Sequence, residues 1–462
     1  MIDFRNIEGI YFVGVGGIGM SALALYFSRG GYSIAGYDRN KSKITISLIE
    51  TGCSISYIDS TAEMPELFRN SAHKNSVIII YTPAIPSESI ILSHFRDNGY
   101  RLYKRSEILG EISSHTDTLA IAGTHGKTSI TTMTSYLLKE TGVGCDAFLG
   151  GISKNYQTNL LLQEGSEWVV IEADEFDRSF HWLRPYIAVI SAMDADHLDI
   201  YGDHEAVKVS FSEFTAGISD EGILLTKLGV EPEVRTRARR YRYSLRDTNA
   251  DFYAENIRLS DGKYCIDLHT PFGVVPSIKI GVPGLLNVEN AVAAMAAAIL
   301  SGADKSLIPG VMPGFSGVNR RFDIRFRSAD RLYIDDYGHH PEELRFTLQS
   351  IRDLYPGRHI TAVFQPHLYS RTRDFAEEFA KSLSLADALF LLDIYPAREE
   401  PLEGVTSSII FDRVNLQDKT LCKKEDFPDL LGKHKIDILV TMGAGDIDTL
   451  IAPITDWLKR NS

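Results

Sequence analysis

Residues 119–138 read LAIAGTHGKTSITTMTSYLL, which is an apolar run, a glycine turn and then a run typical of a helix. This order predicts a strand, a loop and a helix, in which backbone N–H groups at the helix start hold phosphate. Gly126, Lys127 and Thr128 match the end of the phosphate-loop pattern G-x-x-x-x-G-K-[ST]. The first glycine, Gly123, comes later than that pattern requires. The stretch therefore predicts a shortened phosphate loop, with Lys127 at the β- and γ-phosphates and Thr128 on Mg²⁺.

A second glycine turn lies near the start of the chain, where residues 14–19 read GVGGIG between a predicted strand and a predicted helix. Asp38 ends the next predicted strand, roughly twenty residues after Gly19, as in the dinucleotide fingerprint. Taken alone, this turn favours an NAD-dependent dehydrogenase. The same turn suits any pyrophosphate, including the one in a UDP-sugar. A turn that binds nothing, with Met20 and Ser21 as packing residues, is the plainer alternative.

Composition limits the class of protein. A chain of 462 residues predicts roughly three domains, and 44% hydrophobic and 24% charged residues are typical of a globular protein. The net charge of −13 argues against nucleic acid or an anionic membrane as a partner. Four widely spaced cysteines, no signal peptide and no apolar run of about 18 residues indicate a cytoplasmic protein. We expect a monomer or a homodimer.

The predicted fold class is α/β with three domains. Residues 1–112 alternate strand and helix signals, which predicts an N-terminal Rossmann-like sheet domain. Residues 113–315 contain the phosphate loop and are predicted to form a central P-loop-type ATPase α/β domain. The Pro/Gly-rich run IPGVMPGFSGVNRRFD marks the next boundary, and residues 316–462 predict a C-terminal Rossmann-like α/β domain.

Acidic side chains follow two predicted strands of the central domain. The run WVVIEADEFD ends in several carboxylates, of which Glu172 comes first after the apolar residues. A carboxylate at the end of a buried strand near a phosphate loop is suited to bind Mg²⁺. The next strand signal is followed by DADHLD, in which His197 is a candidate for a second metal or for phosphate. A solvent-exposed histidine with no role is the alternative.

The order of motifs along the chain resembles the Mur ligases of peptidoglycan synthesis. After the first glycine turn, the motifs in chain order are GTHGKT, EADEFDRSF, DADHLDIYGD, LLNVENAVAA, GVNRRFD, DDYGHHPEE, QPHLYSRTRDF and MGAGD. The resemblance covers nearly the whole chain, and GTHGKT, DDYGHHP and the H-x-Y-x-R-T-R run are its specific parts. It implies ATP and Mg²⁺ as cofactors and a UDP-sugar in place of NAD on the N-terminal turn. The branch it favours joins L-alanine to the lactyl carboxylate of UDP-N-acetylmuramate through an acyl phosphate.

The resemblance also implies roles for individual residues. ATP is assigned to the loop, an adenine-reading asparagine and two C-terminal residues: Gly123, Thr124, His125, Gly126, Lys127, Thr128, Ser129, Asn290, Arg321 and Asp336. The UDP-sugar is assigned to Gly14, Gly16, Gly17, Ile18, Gly19, Met20, Ser21 and Asp38. The incoming amino acid is assigned to Tyr337, His339 and Arg371, and the metal to Thr128, Glu172 and His197. The catalytic residues are Lys127, Arg321 and His339, the last as a candidate general base.

Two positions depart from the family pattern. Leu286 stands where relatives often have histidine in the adenine motif, and Leu368 stands where they often have arginine. The second departure leaves Arg371 and Arg373 as candidates for gripping the carboxylate of alanine. Three other functions stay open at this point: a ligase that recycles murein tripeptide, an NAD-dependent oxidoreductase, and a non-catalytic nucleotide-binding regulator. The interpretation as an oxidoreductase leaves the presence of Lys127 in a phosphate loop unexplained.

Overall fold

The computed structural model describes residues 4–194, 198–230, 232–260, 262–397, 399–434 and 436–461. These residues form three sheets, of five, ten and six strands, with helices between the strands. The α/β class predicted from the sequence is thereby confirmed. The chain folds as two compact units. Unit 1 comprises Met1–Glu255, Asp267–Ile278 and Asn290–Phe315, and unit 2 comprises Asn256–Ile266, Lys279–Glu289 and Ser316–Ser462.

The first sheet of unit 1 is parallel and has the strand order β3-β2-β1-β4-β5. Its strands are β1 (Gly9–Val13), β2 (Ser33–Tyr37), β3 (Ser54–Ser56), β4 (Val77–Tyr81) and β5 (Leu102–Lys104). Its helices are α1 (Ile18–Arg29), α2 (Lys43–Glu50), α3 (Glu66–Arg69), α4 (Ile90–Asp97) and α5 (Arg105–Ser113). The strand order reverses beside β1. The glycine turn after β1 therefore lies at the switch point where doubly wound sheets bind ligands.

The second sheet has the order β15-β14-β13-β12-β11-β10-β6-β9-β7-β8. Its strands are β6 (Asp117–Ala122), β7 (Asp146–Ser153), β8 (Thr158–Leu161), β9 (Trp168–Glu172), β10 (Ile187–Ile190), β11 (Ile223–Lys227), β12 (Arg239–Ser244), β13 (Phe252–Ser260), β14 (Lys263–His269) and β15 (Val275–Lys279). The helices of this stretch are α6 (Lys127–Glu140), α7 (Leu198–Tyr201), α8 (His204–Thr215), α9 (Leu285–Leu300) and α10 (Ile308–Val311). Strand β6 pairs in parallel with β9 and with β10. The loop after β6 therefore leaves the sheet beside the carboxyl ends of both neighbours.

The five-stranded and ten-stranded sheets share one hydrophobic core. A single cluster of buried side chains includes Phe12 of β1, Leu23 of α1 and Ile171 of β9. The side-chain amide of Asn159 in β8 donates to the carbonyl of Ile18 at 2.6 Å and to Oγ of Ser21 at 3.1 Å. The start of α1 is thus fixed to the second sheet by packing and by hydrogen bonds.

The sheet of unit 2 has the order β16-β17-β21-β18-β19-β20, with β16 antiparallel and the other pairs parallel. Its strands are β16 (Asp323–Arg327), β17 (Leu332–Asp336), β18 (Ile360–Phe364), β19 (Ala388–Leu391), β20 (Asp418–Leu421) and β21 (Ile438–Met442). Its helices are α11 (Pro341–Leu354), α12 (Tyr369–Asp374), α13 (Ala376–Leu383), α14 (Ser408–Phe411), α15 (Phe427–Leu430) and α16 (Ile451–Arg460). Helix α11 begins at a proline, which suits the first helical position because no N–H is needed there. Within the part of the chain that is described, no helix is long and apolar enough to cross a membrane.

Candidate active site

The predicted phosphate loop joins β6 to α6. Gly126 has a φ of +83°, a left-handed conformation that favours glycine. A Cβ atom at this position would lie 2.8 Å from Oδ1 of Asn290, so a side chain would also clash. The structure thus places Asn290, the predicted adenine-reading residue, directly against the loop.

Lys127 makes two hydrogen bonds across the loop. Its Nζ donates to the carbonyl of Gly123 and to Oε1 of Glu175, each at 2.7 Å. Burial lowers the pKa of Lys127, but the carboxylates of Glu175, Asp174 and Glu172 outweigh that effect and raise the pKa above its usual value. Burial raises the pKa of Glu175 to about 7, although Lys127 opposes the shift. The loop therefore holds the ammonium group of Lys127 at the start of α6.

Thr128 and Glu172 lie side by side. Oγ1 of Thr128 donates to Oε1 of Glu172 at 3.2 Å, because β9 ends next to the loop that follows β6. Magnesium prefers oxygen ligands, takes one or two carboxylates and keeps waters and phosphate oxygens as its other ligands. The hydroxyl and the carboxylate fit that requirement. Among the residues described, no three or more His, Cys, Asp or Glu side chains are grouped to hold a metal. His197, the third predicted ligand, lies outside the described residues.

Other predicted ATP residues shape the loop. The backbone N–H of Thr124 donates to the carbonyl of Ala192 at 3.1 Å, and its Oγ1 accepts from the N–H of Asp194 at 3.1 Å. Nε2 of His125 lies 3.5 Å from Oδ2 of Asp194. Ser129 is half-buried in the first turn of α6. These contacts tie the loop to the segment after β10, and the predicted contacts with ATP stay predictions.

The N-terminal glycine turn is closed by Asp38. Oδ2 of Asp38 accepts from the N–H of Gly16 at 2.7 Å, and Oδ1 accepts from the N–H of Asn40 at 2.9 Å. The helix that follows has Gly17 as its N-cap, with no capping side chain and no acidic residue in its first turn. Such a helix start offers N–H groups to an anion. Asp38 holds the turn, and the binding of a UDP-sugar at this helix start stays a prediction.

The other predicted UDP-sugar residues divide into two groups. Gly14, Gly17, Ile18 and Gly19 form the turn and the start of α1. Met20 and Ser21 are buried in the same helix. Oγ of Ser21 donates to the carbonyl of Ile18 at 2.9 Å, so this hydroxyl is hydrogen-bonded within its own helix.

Arg105 lies beside the glycine turn, and the sequence did not single it out. A Cβ atom on Gly19 would lie 2.2 Å from Nη1 of Arg105, so the guanidinium group occupies the space beside this glycine. Nη2 of Arg105 lies 3.6 Å from Oδ2 of Asp174. Arg105 therefore connects the glycine turn with the acidic end of β9. Its position depends on tertiary structure, and the local sequence carries no signal for it.

In unit 2, the carboxylate of Asp336 accepts hydrogen bonds from two backbone N–H groups. Oδ2 accepts from the N–H of Phe322 and Oδ1 from the N–H of Gly338, each at 2.7 Å. Burial raises the pKa of Asp336 to about 6.

Arg321 lies against Tyr337. Its guanidinium carbon is 5.1 Å from the centre of the Tyr337 ring, and Nη1 of Arg321 is 3.6 Å from Oε1 of Glu343. The roles predicted for Asp336 and Arg321 toward the nucleotide stay predictions.

The predicted amino-acid residues gather around His339. Its ring lies 5.3 Å from that of Tyr337 and 5.8 Å from that of His367. Its Nδ1 lies 3.1 Å from the carbonyl of Tyr337 and 3.6 Å from Oε2 of Glu343. Glu343 was not predicted, although its position three residues after His340 is the capping-box spacing. The structure thus adds Glu343 and His367 to this group.

The segment before α12 is strained. Leu368 has a φ of +70°, which a residue with a branched side chain rarely adopts. Arg371 follows one turn later and is buried, whereas Arg373 is exposed and its Nε donates to Asp374 at 2.7 Å. Between the two candidates for the alanine carboxylate, the internal position therefore favours Arg371.

Comparison with known proteins identifies the family. Three family descriptions match successive parts of the chain: "Mur ligase family, catalytic domain" over residues 9–116, "Mur ligase middle domain" over residues 121–298 and "Mur ligase, glutamate ligase domain" over residues 320–445. The UDP-N-acetylmuramate–L-alanine ligase of Phocaeicola vulgatus is 48% identical over 462 residues, which are 99% of this chain and 100% of that protein. The chain belongs to the Mur ligase family. The ligase of the same name from Parabacteroides distasonis is also 48% identical and is matched over 99% of both chains.

Solved structures agree with the Mur ligase fold. The UDP-N-acetylmuramate-alanine ligase of Thermotoga maritima superposes with a TM-score of 0.82 at 24% identity, covering 98% of this chain and 100% of that one. A murein peptide ligase of Psychrobacter arcticus gives a TM-score of 0.71 at 21% identity, covering 97% and 99%. Mur ligases are ATP-dependent enzymes of peptidoglycan synthesis, so the family and the use of ATP that the motifs predicted are confirmed at that level.

Proposed function

We propose that this Mur ligase joins L-alanine to the lactyl carboxylate of UDP-N-acetylmuramate and converts ATP to ADP and phosphate. One observation carries the proposal: unit 1 holds both a phosphate loop with a buried Lys127 and a separate glycine turn closed by Asp38. Two anion sites in one unit suit an enzyme that uses ATP and a sugar nucleotide together. The relatives that share nearly half of the residues over the full chain bear the name of this reaction.

The chemistry requires activation of a carboxylate, because its carbon is a poor electrophile. A lactyl carboxylate oxygen attacks the γ-phosphorus of ATP, ADP leaves, and an acyl phosphate forms. The amino group of alanine then attacks the acyl carbon, the carbon–oxygen bond to phosphate breaks, and phosphate leaves with one oxygen of the original carboxylate. The amine loses a proton in this step.

The residues of unit 1 meet the electrostatic demand of the first step. The carboxylate and the γ-phosphate are both anions, so their approach needs fixed positive charge. Lys127 supplies it, and its raised pKa keeps the ammonium protonated. Magnesium held by Thr128 and Glu172 would neutralise further phosphate charge. We assign the pyrophosphate of the sugar nucleotide to the turn of residues 14–19.

The residues of unit 2 suit the second substrate. Arg371 is a donor for the carboxylate of alanine, since guanidinium binds carboxylates through two parallel hydrogen bonds. His339 is the candidate that accepts the ammonium proton. Arg321 and Asp336 are proposed to contact the γ-phosphate and the nucleotide. We infer a cytoplasmic enzyme, because UDP-sugar precursors and ATP are cytoplasmic compounds.

The test is phosphate release in parallel reactions with ATP, Mg²⁺ and UDP-N-acetylmuramate. Adding L-alanine is expected to start turnover. Adding a tripeptide that contains meso-diaminopimelate is expected to give none. Turnover with the tripeptide alone would instead assign the chain to the recycling branch, which the structural likeness to the Psychrobacter ligase makes the natural second candidate. Replacing ATP by NAD should give no reaction.

A further inference from the structure

We propose that a cavity at the C-terminal end of α1 binds a small organic cation, with its ammonium group at Asp146 and its apolar body against Phe4 and Tyr32. The cavity has a volume of about 510 Å³, and all of its lining residues belong to unit 1. Small-molecule sites in proteins typically measure about 300–1,000 Å³, so the space suits a ligand of that size. This binding is separate from the proposed ligase reaction.

The cavity lies at the opposite end of α1 from the glycine turn. Arg29 ends α1 and lines the cavity, whereas Gly17 is the N-cap at the start of that helix. The helix has 12 residues, which corresponds to a length of roughly 18 Å. Glu111 and Ile112, near the end of α5, also line the cavity. A cation bound here therefore occupies a different place from a sugar nucleotide on the glycine turn.

Aromatic rings form one wall of the cavity. The rings of Phe4 and Phe27 stack with their centres 5.4 Å apart. Tyr32 and Tyr26 each meet Phe27 edge-on, with centres 5.7 Å and 5.2 Å from that of Phe27. Phe27 is buried, whereas the other three rings are half-buried. Because the face of an aromatic ring attracts a cation within about 6 Å, this wall suits an ammonium group attached to a flat apolar body.

Asp146 supplies a negative charge beside that wall. It begins β7 and is half-buried in the lining of the cavity. Its Oδ1 accepts from the N–H of Gln163 at 2.8 Å. Burial raises the pKa of Asp146 and this hydrogen bond opposes the shift, while no cationic side chain of the described residues contributes. An ammonium ion in the cavity would supply the positive charge that stabilises the ionised carboxylate.

The charges of the whole lining favour a cation over an anion. Three carboxylates line the cavity, those of Glu111, Asp146 and Glu164, against the single guanidinium group of Arg29. Nε2 of His115 lies 3.1 Å from Oε1 of Glu111. The lining is therefore negative even when His115 is protonated, and an anion of the same size and shape is repelled.

The experiment measures the binding of three matched probes to the full chain near neutral pH, by ligand-observed NMR titration. Tryptamine is a cation, tryptophol is its neutral hydroxyl counterpart, and indole-3-propionate is an anion with the same ring and chain. Tryptamine should bind with a dissociation constant on the order of a millimolar, as expected for a ligand of this size. Tryptophol should bind about tenfold more weakly, and indole-3-propionate should show no binding. Saturating UDP-N-acetylmuramate should leave the affinity for tryptamine unchanged.

Variants assign the binding to this cavity. Asp146→Asn keeps an oxygen for the N–H of Gln163 but removes the charge, so tryptamine should bind about tenfold more weakly while tryptophol binds as to wild type. Unchanged tryptophol binding also shows that the variant is folded. Phe4→Leu should weaken both probes about threefold, because the ring face is lost. Glu205→Gln is the matched control, since Glu205 forms an exposed pair with Lys208 on α8, and it should bind like wild type.

Four results would overturn the inference. These are no binding of tryptamine to wild type, equal binding of tryptamine and indole-3-propionate, unchanged binding of tryptamine to Asp146→Asn, and displacement of tryptamine by UDP-N-acetylmuramate. The binding of tryptamine is measured without substrates, so failure of the proposed ligase reaction would leave this result unaffected.

Discussion

Replacing Lys127 by methionine removes the ammonium group but keeps an unbranched chain of similar length. The change leaves the carboxyl group of Glu175 buried without the partner that lies 2.7 Å away. Removing one member of a buried ion pair costs about 3–5 kcal/mol of stability. Glu175 can limit this cost by taking a proton, because burial already raises its pKa to about 7 and the loss of Lys127 raises it further. Near neutral pH we therefore expect Lys127→Met to lose about 3 kcal/mol of stability, the lower end of this range.

The pH dependence has a definite sign. A carboxyl group whose pKa is higher in the folded than in the unfolded chain makes the fold less stable as pH rises toward the folded-state value. In wild-type protein this loss of stability ends once the pH has risen past about 7, above which Glu175 is ionised beside Lys127. In Lys127→Met the loss of stability continues to higher pH. The stability difference between the two proteins should therefore grow above neutral pH, by up to about 1.4 kcal/mol per pH unit.

The assay is thermal unfolding of wild type, Lys127→Met, Glu175→Gln and the double variant at about pH 6 and about pH 9. Near neutral pH, Lys127→Met should have a Tm roughly 5–10 °C below that of wild type, because a loss of about 3 kcal/mol lowers the Tm by this much in a domain of this size. The double variant should recover most of that loss, because no buried charge is left. Phosphate release should fall on the order of a thousandfold in both Lys127→Met proteins. Equal stability of wild type and Lys127→Met, or recovered turnover in the double variant, would refute the reasoning.

Three further predictions follow from single contacts. Glu172→Gln should keep the thermal stability of wild type but need far more Mg²⁺ for turnover, and a normal Mg²⁺ titration would exclude Glu172 as a ligand. Asp38→Ala removes the acceptor 2.7 Å from the N–H of Gly16, so the KM for UDP-N-acetylmuramate should rise while the KM for ATP stays constant; equal changes in both would indicate general damage. Burial raises the pKa of Asp336 from 3.8 to about 6, so the stability of wild type should fall with increasing pH between those values. Urea unfolding should show that slope reduced in Asp336→Asn, and parallel slopes would contradict it.

Local signals were enough to predict the strands and helices on either side of the two glycine turns. The strand, loop and helix around Lys127 and the glycine turn after β1 each follow from neighbouring residues. The motif order was enough for the family, and that prediction is confirmed. The domain limits at residues 112 and 315 stay predictions. The five-stranded and ten-stranded sheets, on either side of residue 112, share one core.

Contacts between distant segments were beyond sequence reasoning. The acidic run after β9 offered several carboxylates, and which of them meets Lys127 depends on the 3₁₀ helix at Phe176–Trp182 that follows. That geometry turns Glu175 toward Lys127 and leaves Glu172 beside Thr128. The place of Arg105 over Gly19 requires two helices to meet, and the strained backbone of Leu368 has no sequence signature.

The most direct measurement of the central claim follows the oxygen atoms. UDP-N-acetylmuramate labelled with ¹⁸O in its lactyl carboxylate is incubated with ATP, Mg²⁺ and L-alanine, and the phosphate released is examined by mass spectrometry. Activation through an acyl phosphate predicts that each phosphate molecule carries one oxygen from the labelled carboxylate. Phosphate without label, formed together with the alanine adduct, would contradict that route. Phosphate without label and without adduct would contradict the proposed ligase.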